Sequence, residues 1–296
     1  MQFNYLILGL VLLCKFTFGQ GCSDAGFCSI NSFKPKSIDS LNIVTNQIKA
    51  GAYFGRADRS ISVFGNYLEY NRMINEKFGL DIKLTSLAQT GENISVFGLS
   101  DVFLNLNYKA VKKFNFTFGA KIPLNDGNKS LNSLPLPMDY QSSLGTFDLL
   151  FGINYSFKKT QLILAIQQPI IQNNNQFVAN NYPEDSRLES FQTTNNFKRN
   201  GDILFRISRP FLLTKKLKLT TSILSIYHLK NDEFNESEII TGSKGLTINS
   251  NVFLDYNINS KNIIQITVAR PFITRDVRPD GLTRQFILNM EYSFKF

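Results

Sequence analysis

Arg284-Gln285-Phe286-Ile287-Leu288-Asn289-Met290-Glu291-Tyr292-Ser293-Phe294-Lys295-Phe296 closes the sequence and decides its reading. The even positions hold Phe286, Leu288, Met290, Tyr292, Phe294 and Phe296, all apolar or aromatic. The odd positions hold Gln285, Ile287, Asn289, Glu291, Ser293 and Lys295, of which all but Ile287 are polar or charged. Successive side chains of a strand point to opposite faces. The segment therefore predicts a strand with one wholly apolar face. A strand that crosses a membrane needs roughly 9–11 residues with an apolar outer face and aromatic ends. This stretch meets both conditions, whereas a strand of a soluble sandwich is usually shorter.

The same alternation recurs upstream. Phe114, Phe116, Phe118, Ala120 and Ile122 oppose Asn115, Thr117, Gly119 and Lys121; Phe147, Leu149, Phe151, Ile153, Tyr155 and Phe157 oppose Thr146, Asp148, Gly152, Asn154 and Ser156. Between Ile61 and Met73 the face is ambiguous, because Phe64, Leu68 and Tyr70 compete with Ile61, Val63 and Tyr67. Short connections near Asn75–Lys77, Val111–Lys113, Lys158–Thr160, Thr214–Lys216 and Asn259–Lys261 alternate with longer polar ones at Ala57–Ser60, Gln89–Ser95, Leu124–Ser143, Ile171–Asn200, Asn231–Gly245 and Thr274–Thr283. Short turns on one side and long loops on the other mark an outer-membrane barrel. The pattern predicts an all-β fold: a transmembrane, antiparallel, up-and-down β-barrel of about 12 strands, with short periplasmic turns and long extracellular loops. The expected strands are 47–56, 61–73, 77–88, 98–110, 112–123, 145–157, 160–170, 199–210, 215–229, 246–258, 261–272 and 284–296. Aromatics at the short-turn ends of the descending strands, Tyr70, Tyr108, Tyr155, Phe211, Tyr256 and Tyr292, predict an aromatic girdle.

The 296 residues fit one large barrel or two ordinary domains. After the N-terminus no apolar run approaches the roughly 20 residues of a membrane helix, a pattern that suits a β-barrel and argues against a helical membrane protein. The chain carries 32 Lys and Arg against 23 Asp and Glu, a net charge of +9. Its lysines recur in turns and form no nucleic-acid motif. The reading is of basic turns that face an aqueous compartment or acidic lipid headgroups, with outer-membrane lipids as partners, a small-molecule solute as candidate cargo and no nucleic acid.

Residues 1–19 read as a secretory signal peptide, with a short apolar run at Leu6–Leu13 and small residues at Thr17 and Gly19. Residues 20–46 form a periplasmic N-terminal segment, an irregular lead-in or a small plug, and 47–296 the barrel. In Gly21-Cys22-Ser23-Asp24-Ala25-Gly26-Phe27-Cys28 the two cysteines suit a small disulfide loop in an oxidising compartment. Lipidation at Cys22 and metal binding are the alternatives.

If the apolar set faces lipid, the opposite set faces the lumen. The lumen-lining candidates are Asp81, Lys83, Asp101, Phe103, Lys121, Asp148, Asp202, Arg206, His228, Phe253, Asp255 and Glu291, with Leu204 beside them. Charges of both signs are expected to pair across the interior. The inward apolar residues Phe103, Leu204 and Phe253 either make a hydrophobic step in a path or pack a plug. Within the outer loop Leu124–Ser143, the proline-stiffened stretch Leu134-Pro135-Leu136-Pro137-Met138-Asp139-Tyr140 gives Leu134, Leu136, Met138 and Tyr140 as gate candidates. They are expected to fold over the barrel mouth or to pack on neighbouring loops. The sequence offers no catalytic set, metal site or cofactor motif. Its only histidine, His228, points inward near the loop end, while Ser225 lies on the opposite face and Lys230 stands two residues on, so no nucleophile–base pair is placed.

Two stretches resemble a known family. Gly98-Leu99-Ser100-Asp101, followed by Val102–Tyr108, and Ala120-Lys121-Ile122-Pro123-Leu124-Asn125-Asp126-Gly127, with Ser143–Asp148 later, are similar to the outer-membrane barrels of the meta-pathway of phenol degradation (the MetA-pathway barrels). Those are distant relatives of the long-chain fatty-acid transporters. Ser100 stands where that family has a glycine, and Leu124-Asn125-Asp126 replaces its Thr-Gly-Asp-like turn. The closing aromatic strand also resembles the targeting signal of bacterial outer-membrane barrels. The Asn- and Phe-rich composition, with the Gly19-Gln20 region, resembles that of Bacteroidetes proteins. The resemblance implies a non-enzymatic channel or transporter for small molecules, hydrophobic ones included. A closed structural or surface-interaction barrel that acts through its loops is the alternative.

Overall fold

The computed structural model describes residues 30–35, 46–111, 113–184, 186–235, 237–281 and 284–296. The signal-peptide reading of 1–19 and the pair Cys22 and Cys28 lie outside the described residues.

Twelve strands of the described residues build the barrel. They are β1 (Asn46–Ala57), β2 (Ser62–Met73), β3 (Phe78–Gly91), β4 (Ile94–Val111), β5 (Phe114–Pro123), β6 (Phe147–Phe157), β7 (Thr160–Ile171), β8 (Asp202–Leu212), β9 (Leu217–His228), β10 (Gly245–Asn257), β11 (Asn262–Ile273) and β12 (Arg284–Lys295). Each pairs antiparallel with its chain neighbour, and β12 returns to β1 from Gln47↔Lys295 to Ala57↔Arg284. Closure leaves no unpaired edge, a condition for placing strands in hydrocarbon. No helix of the described residues is long and apolar enough to cross a membrane; the chain crosses with strands.

The two faces differ as the alternation requires. Outside lie Phe64, Leu68, Phe118, Leu149, Leu164, Val252, Leu288 and Met290, all exposed. Rings pair across neighbouring strands on this surface, Phe54 with Phe64 at 4.9 Å and Phe118 with Phe151 at 5.0 Å. An apolar surface of this extent is disfavoured in water and suited to lipid. The ambiguity in β2 resolves by period: Val63, Tyr67, Glu69 and Asn71 turn inward and are buried, while Phe64 and Leu68 turn outward. The girdle positions stand at the short-turn ends, where Phe78 stacks on Tyr108 at 5.0 Å and Phe114 meets Tyr155 at 4.7 Å.

One expected long loop is absent. Gln89–Ser95 was expected to be polar and irregular, but β3 and β4 run on to Gly91 and Ile94 and meet in a two-residue turn. Glu92 and Asn93 take φ of 53° and 61°, the signature of the tight hairpin turns that match strand twist. The inner faces of these strand tops hold Leu87, Ile94 and Val96, all buried. They are apolar because loop side chains pack on them, and that partner is invisible in local alternation.

Candidate functional site: the barrel lumen and its two closures

Every lumen-lining candidate lies on the inner face and is buried: Asp81, Lys83, Asp101, Phe103, Lys121, Asp148, Asp202, Arg206, His228, Phe253, Asp255 and Glu291. Charges buried away from water need partners. Lys121 reaches Asp148 at 3.0 Å and Thr146 at 2.8 Å, and Gln167 donates to the same carboxylate. Lys218 holds Asp255 at 2.6 Å. Asp101 accepts from Ser143 at 2.7 Å and from Ser100 at 2.8 Å. These charges are thus paired strand to strand, while among the described residues the inner-face side-chain amides of Asn105 and Asn249 are buried without a hydrogen-bond partner.

The first closure is the segment Ile30–Pro35, which lies inside the barrel and not in the periplasm below it. Its core is one tight turn, Asn31–Phe33, closed by Phe33 N–H donating to the Ile30 carbonyl at 3.0 Å. Side chains from around the barrel hold it. Ser32 donates to Asp81 on β3 at 2.7 Å, and Lys49 on β1 donates to Asn31 at 2.6 Å. Lys34 reaches Glu291 on β12 at 2.8 Å, a carboxylate that also accepts from Tyr67 at 2.7 Å. Arg206 on β8 donates to the Phe33 carbonyl at 2.6 Å. Ile30 and Phe33 join Phe103, Leu150, Ile163, Ala165, Leu204, Leu224 and Ile226 in one apolar cluster. Phe103 and Leu204 therefore pack the plug. Phe253 lies apart from that cluster, with the Arg206 guanidinium 5.9 Å from its ring.

Gly152 makes room for this plug. A Cβ built there would lie 2.2 Å from Phe33 Cε1 and 3.2 Å from Ala165 Cβ. A glycine within a strand often marks a close approach, and here the approaching group is the plug's ring.

The second closure is a cap of outer loops. Leu136 and Tyr140 pack against the strand tops Val63, Leu87 and Val96 and against Phe177, Leu188 and Phe191 of the 172–201 loop. Met138 joins Leu144, Phe197 and Ile240 in a second cluster. Three of the four gate candidates are thus core residues of the cap, while Leu134 is exposed. The stretch packs on neighbouring loops and on the strand tops. Gln89 donates to the Asp139 carbonyl at 2.7 Å, and Tyr140 to the Gly91 carbonyl at 2.9 Å. Gly281, at φ +61°, lets the last loop pass Asp139, whose Cα would lie 2.6 Å from an added Cβ.

Beneath the cap runs a buried ionic chain. His228 Nδ1 meets Asp202 at 2.6 Å and its Nε2 meets Asp232 at 2.8 Å. An imidazole can donate from both nitrogens only when protonated, so this geometry fits an imidazolium. Arg199 bonds Asp202 at 2.5 Å and Asp280 at 3.3 Å. Arg275 donates to Asp280 and lies 3.6 Å from Asp232. Three cations face three carboxylates. The Asp280 carboxyl sits well below the usual carboxylate range: burial alone would raise it, but the adjacent Arg275 and Arg199 outweigh burial. Strand alternation points Asp202 and His228 inward, but it does not reach Arg199, Asp232, Arg275 and Asp280. These come from three loops, and no spacing relates them.

A closed twelve-stranded barrel, apolar outside and polar inside, is an outer-membrane β-barrel. No protein-family model and no curated protein matches the chain. Among solved structures, the translocator domain of the autotransporter NalP from Neisseria meningitidis is similar over 86% of this chain and 90% of its own, at 9% identity and a TM-score of 0.48. The CymD monoaromatic hydrocarbon channel is similar over 92% and 93%, at 9% identity and a TM-score of 0.45. The toluene transporter TbuX from Ralstonia pickettii is similar over 86% and 90%, at 9% identity and a TM-score of 0.41.

Proposed function

We propose that the chain is a non-enzymatic, passive outer-membrane channel or transporter for small molecules, hydrophobic ones included, that rests closed. One observation carries this reading. The lumen holds the segment Ile30–Pro35, which is fixed by side chains and fitted against Gly152 and is not a strand of the wall. A permanently solid barrel would fill its interior from its own strands and would not need an inward glycine to seat a segment that is not part of the wall. The likeness of Gly98–Tyr108 and Ala120–Gly127 to the phenol-degradation barrels supports the solute class, and the Asn- and Phe-rich composition with the Gly19-Gln20 region supports a Bacteroidetes-type origin. Export by residues 1–19 and a Cys22–Cys28 disulfide belong to the same proposal, as does the stretch Leu134–Tyr140 as the movable part of the outer closure.

The test replaces Ile30–Pro35 by a Gly-Ser linker in the full chain and follows uptake into proteoliposomes. A small aromatic solute and a sugar of similar size serve as probes. The expected result is slow uptake by the unmodified protein, faster for the aromatic, and rapid uptake of both by the replaced chain. If neither passes in either form while the barrel still shifts its mobility on heating in detergent gels, the channel reading fails. One observation favours a second reading, a closed barrel that presents its loops to a partner: the cap has hydrophobic clusters of its own. Absence of uptake in both forms would leave that reading standing.

A further inference from the structure

The net charge of the chain is concentrated at one end of the barrel. The five short turns, residues 74–77, 112–113, 158–159, 213–216 and 258–261, hold eight lysines and a single acid, Glu76. The six connections at the other end, 58–61, 92–93, 124–146, 172–201, 229–244 and 274–283, hold nine basic and thirteen acidic residues. So the excess of +9 is not spread over the surface, and the periplasmic rim is the basic one. The loop side is, if anything, acidic.

Depth is the second observation. Lys77, Lys113, Lys159, Lys215, Lys216 and Lys261 are exposed, and beside them lie exposed apolar side chains: Ile74, Leu213 and Ile258 within the turns and Val111 and Phe157 at the strand ends that enter them. In a turn bathed by water such residues have no reason to recur. At each of the five turns an exposed apolar group, in the turn or at the strand end next to it, adjoins lysine, so the hydrocarbon boundary reaches the edge of the turns. The lysines then stand at phosphate depth, with stems along the apolar edge and ammonium groups at the headgroups. Lys158 Nζ lies 5.5 Å from the centre of the Phe157 ring, a geometry that places charge directly beside the girdle.

We infer that this rim is a binding ring for anionic phospholipid headgroups of the periplasmic leaflet, which gathers them around the barrel in preference to zwitterionic ones. The inference goes beyond the channel reading and does not depend on it, because it concerns the outer wall and not the lumen.

Electron spin resonance of the full chain in phosphatidylethanolamine bilayers tests it, with spin-labelled phosphatidylglycerol and phosphatidylethanolamine as probes of the lipid held at the protein surface. Phosphatidylglycerol is expected to be preferred by about fivefold, the effect of one basic residue at an anionic surface. The preference should fall as salt is raised, since exposed charges are screened over roughly 10 Å at 0.1 M. Combined Lys113→Gln, Lys159→Gln, Lys215→Gln, Lys216→Gln and Lys261→Gln should abolish it, and arginine at the same five positions should keep it. The salt series on the unmodified protein needs no variant and stands even if the glutamine chain does not fold. Equal affinity for the two lipids, a preference untouched by salt, or one that survives the glutamine changes would overturn the inference. So would retention on an acidic cell-wall polymer without lipid preference, which would assign the ring to a different partner.

Discussion

Gly152→Leu is expected to expel Phe33 from the lumen and to raise solute flux by about a hundredfold while the barrel still assembles. The position is crowded before any side chain is added: a bare Cβ would already lie 2.2 Å from Cε1 and 2.7 Å from Cζ of Phe33. The wall cannot yield easily, because Gly152 sits in the paired ladder between Thr117 and Ala165. The plug can, because it is held by side-chain bonds to Asp81, Asn107, Lys49, Glu291 and Arg206 and by the packing of Ile30 and Phe33, and not by a strand ladder. Removing a buried phenylalanine from its packing costs about 3–5 kcal/mol. Taking the lower figure, the ratio of open to closed barrel changes by about a hundredfold, since each 1.4 kcal/mol is a factor of ten. Gly152→Ala should show a smaller effect of the same sign. Phe33→Ala in the leucine background should add little, because the ring is already out. Proteoliposome uptake reads all three, and heat-dependent gel mobility reports barrel integrity. An intact Gly152→Leu barrel with unchanged flux would show that the plug is not the barrier.

The wall of this protein is legible in its sequence and its closures are not. Residues 286–296 announce their two faces because a strand's period is two and lipid accepts only apolar groups, so even one strand declares both orientation and medium. The same rule places Asp81, Lys121, Asp148 and Glu291 inward. It fails where the partner is far along the chain. Lys34 meets Glu291 across 257 residues and Arg206 meets Phe33 across 173, and a six-residue segment is too short to show any period. The strand tops fail for a related reason. Ile94 and Val96 look misplaced on an inner face until the loop residues Leu136 and Tyr140 cover them. Gly152 was visible as an inward glycine, and its lack of a side chain was the available signal for a close approach. What approaches it was not.

The second large effect concerns the cap. Asp280→Ala is expected to destabilise the closed cap by about 3–5 kcal/mol, the cost of breaking a buried ion pair by removing one partner. Asp280 is the acceptor that Arg199 and Arg275 share, and all three side chains are fully buried. Without it, two guanidiniums face each other with only Asp202 and Asp232 to divide, and His228 competes for both. None of this touches strand pairing, so the loss should be local. Amide hydrogen exchange should speed up across residues 197–202, 229–244 and 274–281, while the strands β2 to β6 stay protected. Asp276→Ala, four residues earlier and exposed, should change exchange by no more than about 0.5 kcal/mol. The pH dependence has a definite sign. A carboxyl held below its ordinary value contributes stability that is present above about pH 4 and is lost only as pH falls toward its depressed value. For Asp280 that loss lies in strong acid, so its contribution should hold the cap exchange rates, corrected for intrinsic chemistry, constant from neutral pH down to about 5. Opening of the Asp280→Ala loops no faster than the unmodified ones at neutral pH would show that the ionic chain does not hold the cap shut.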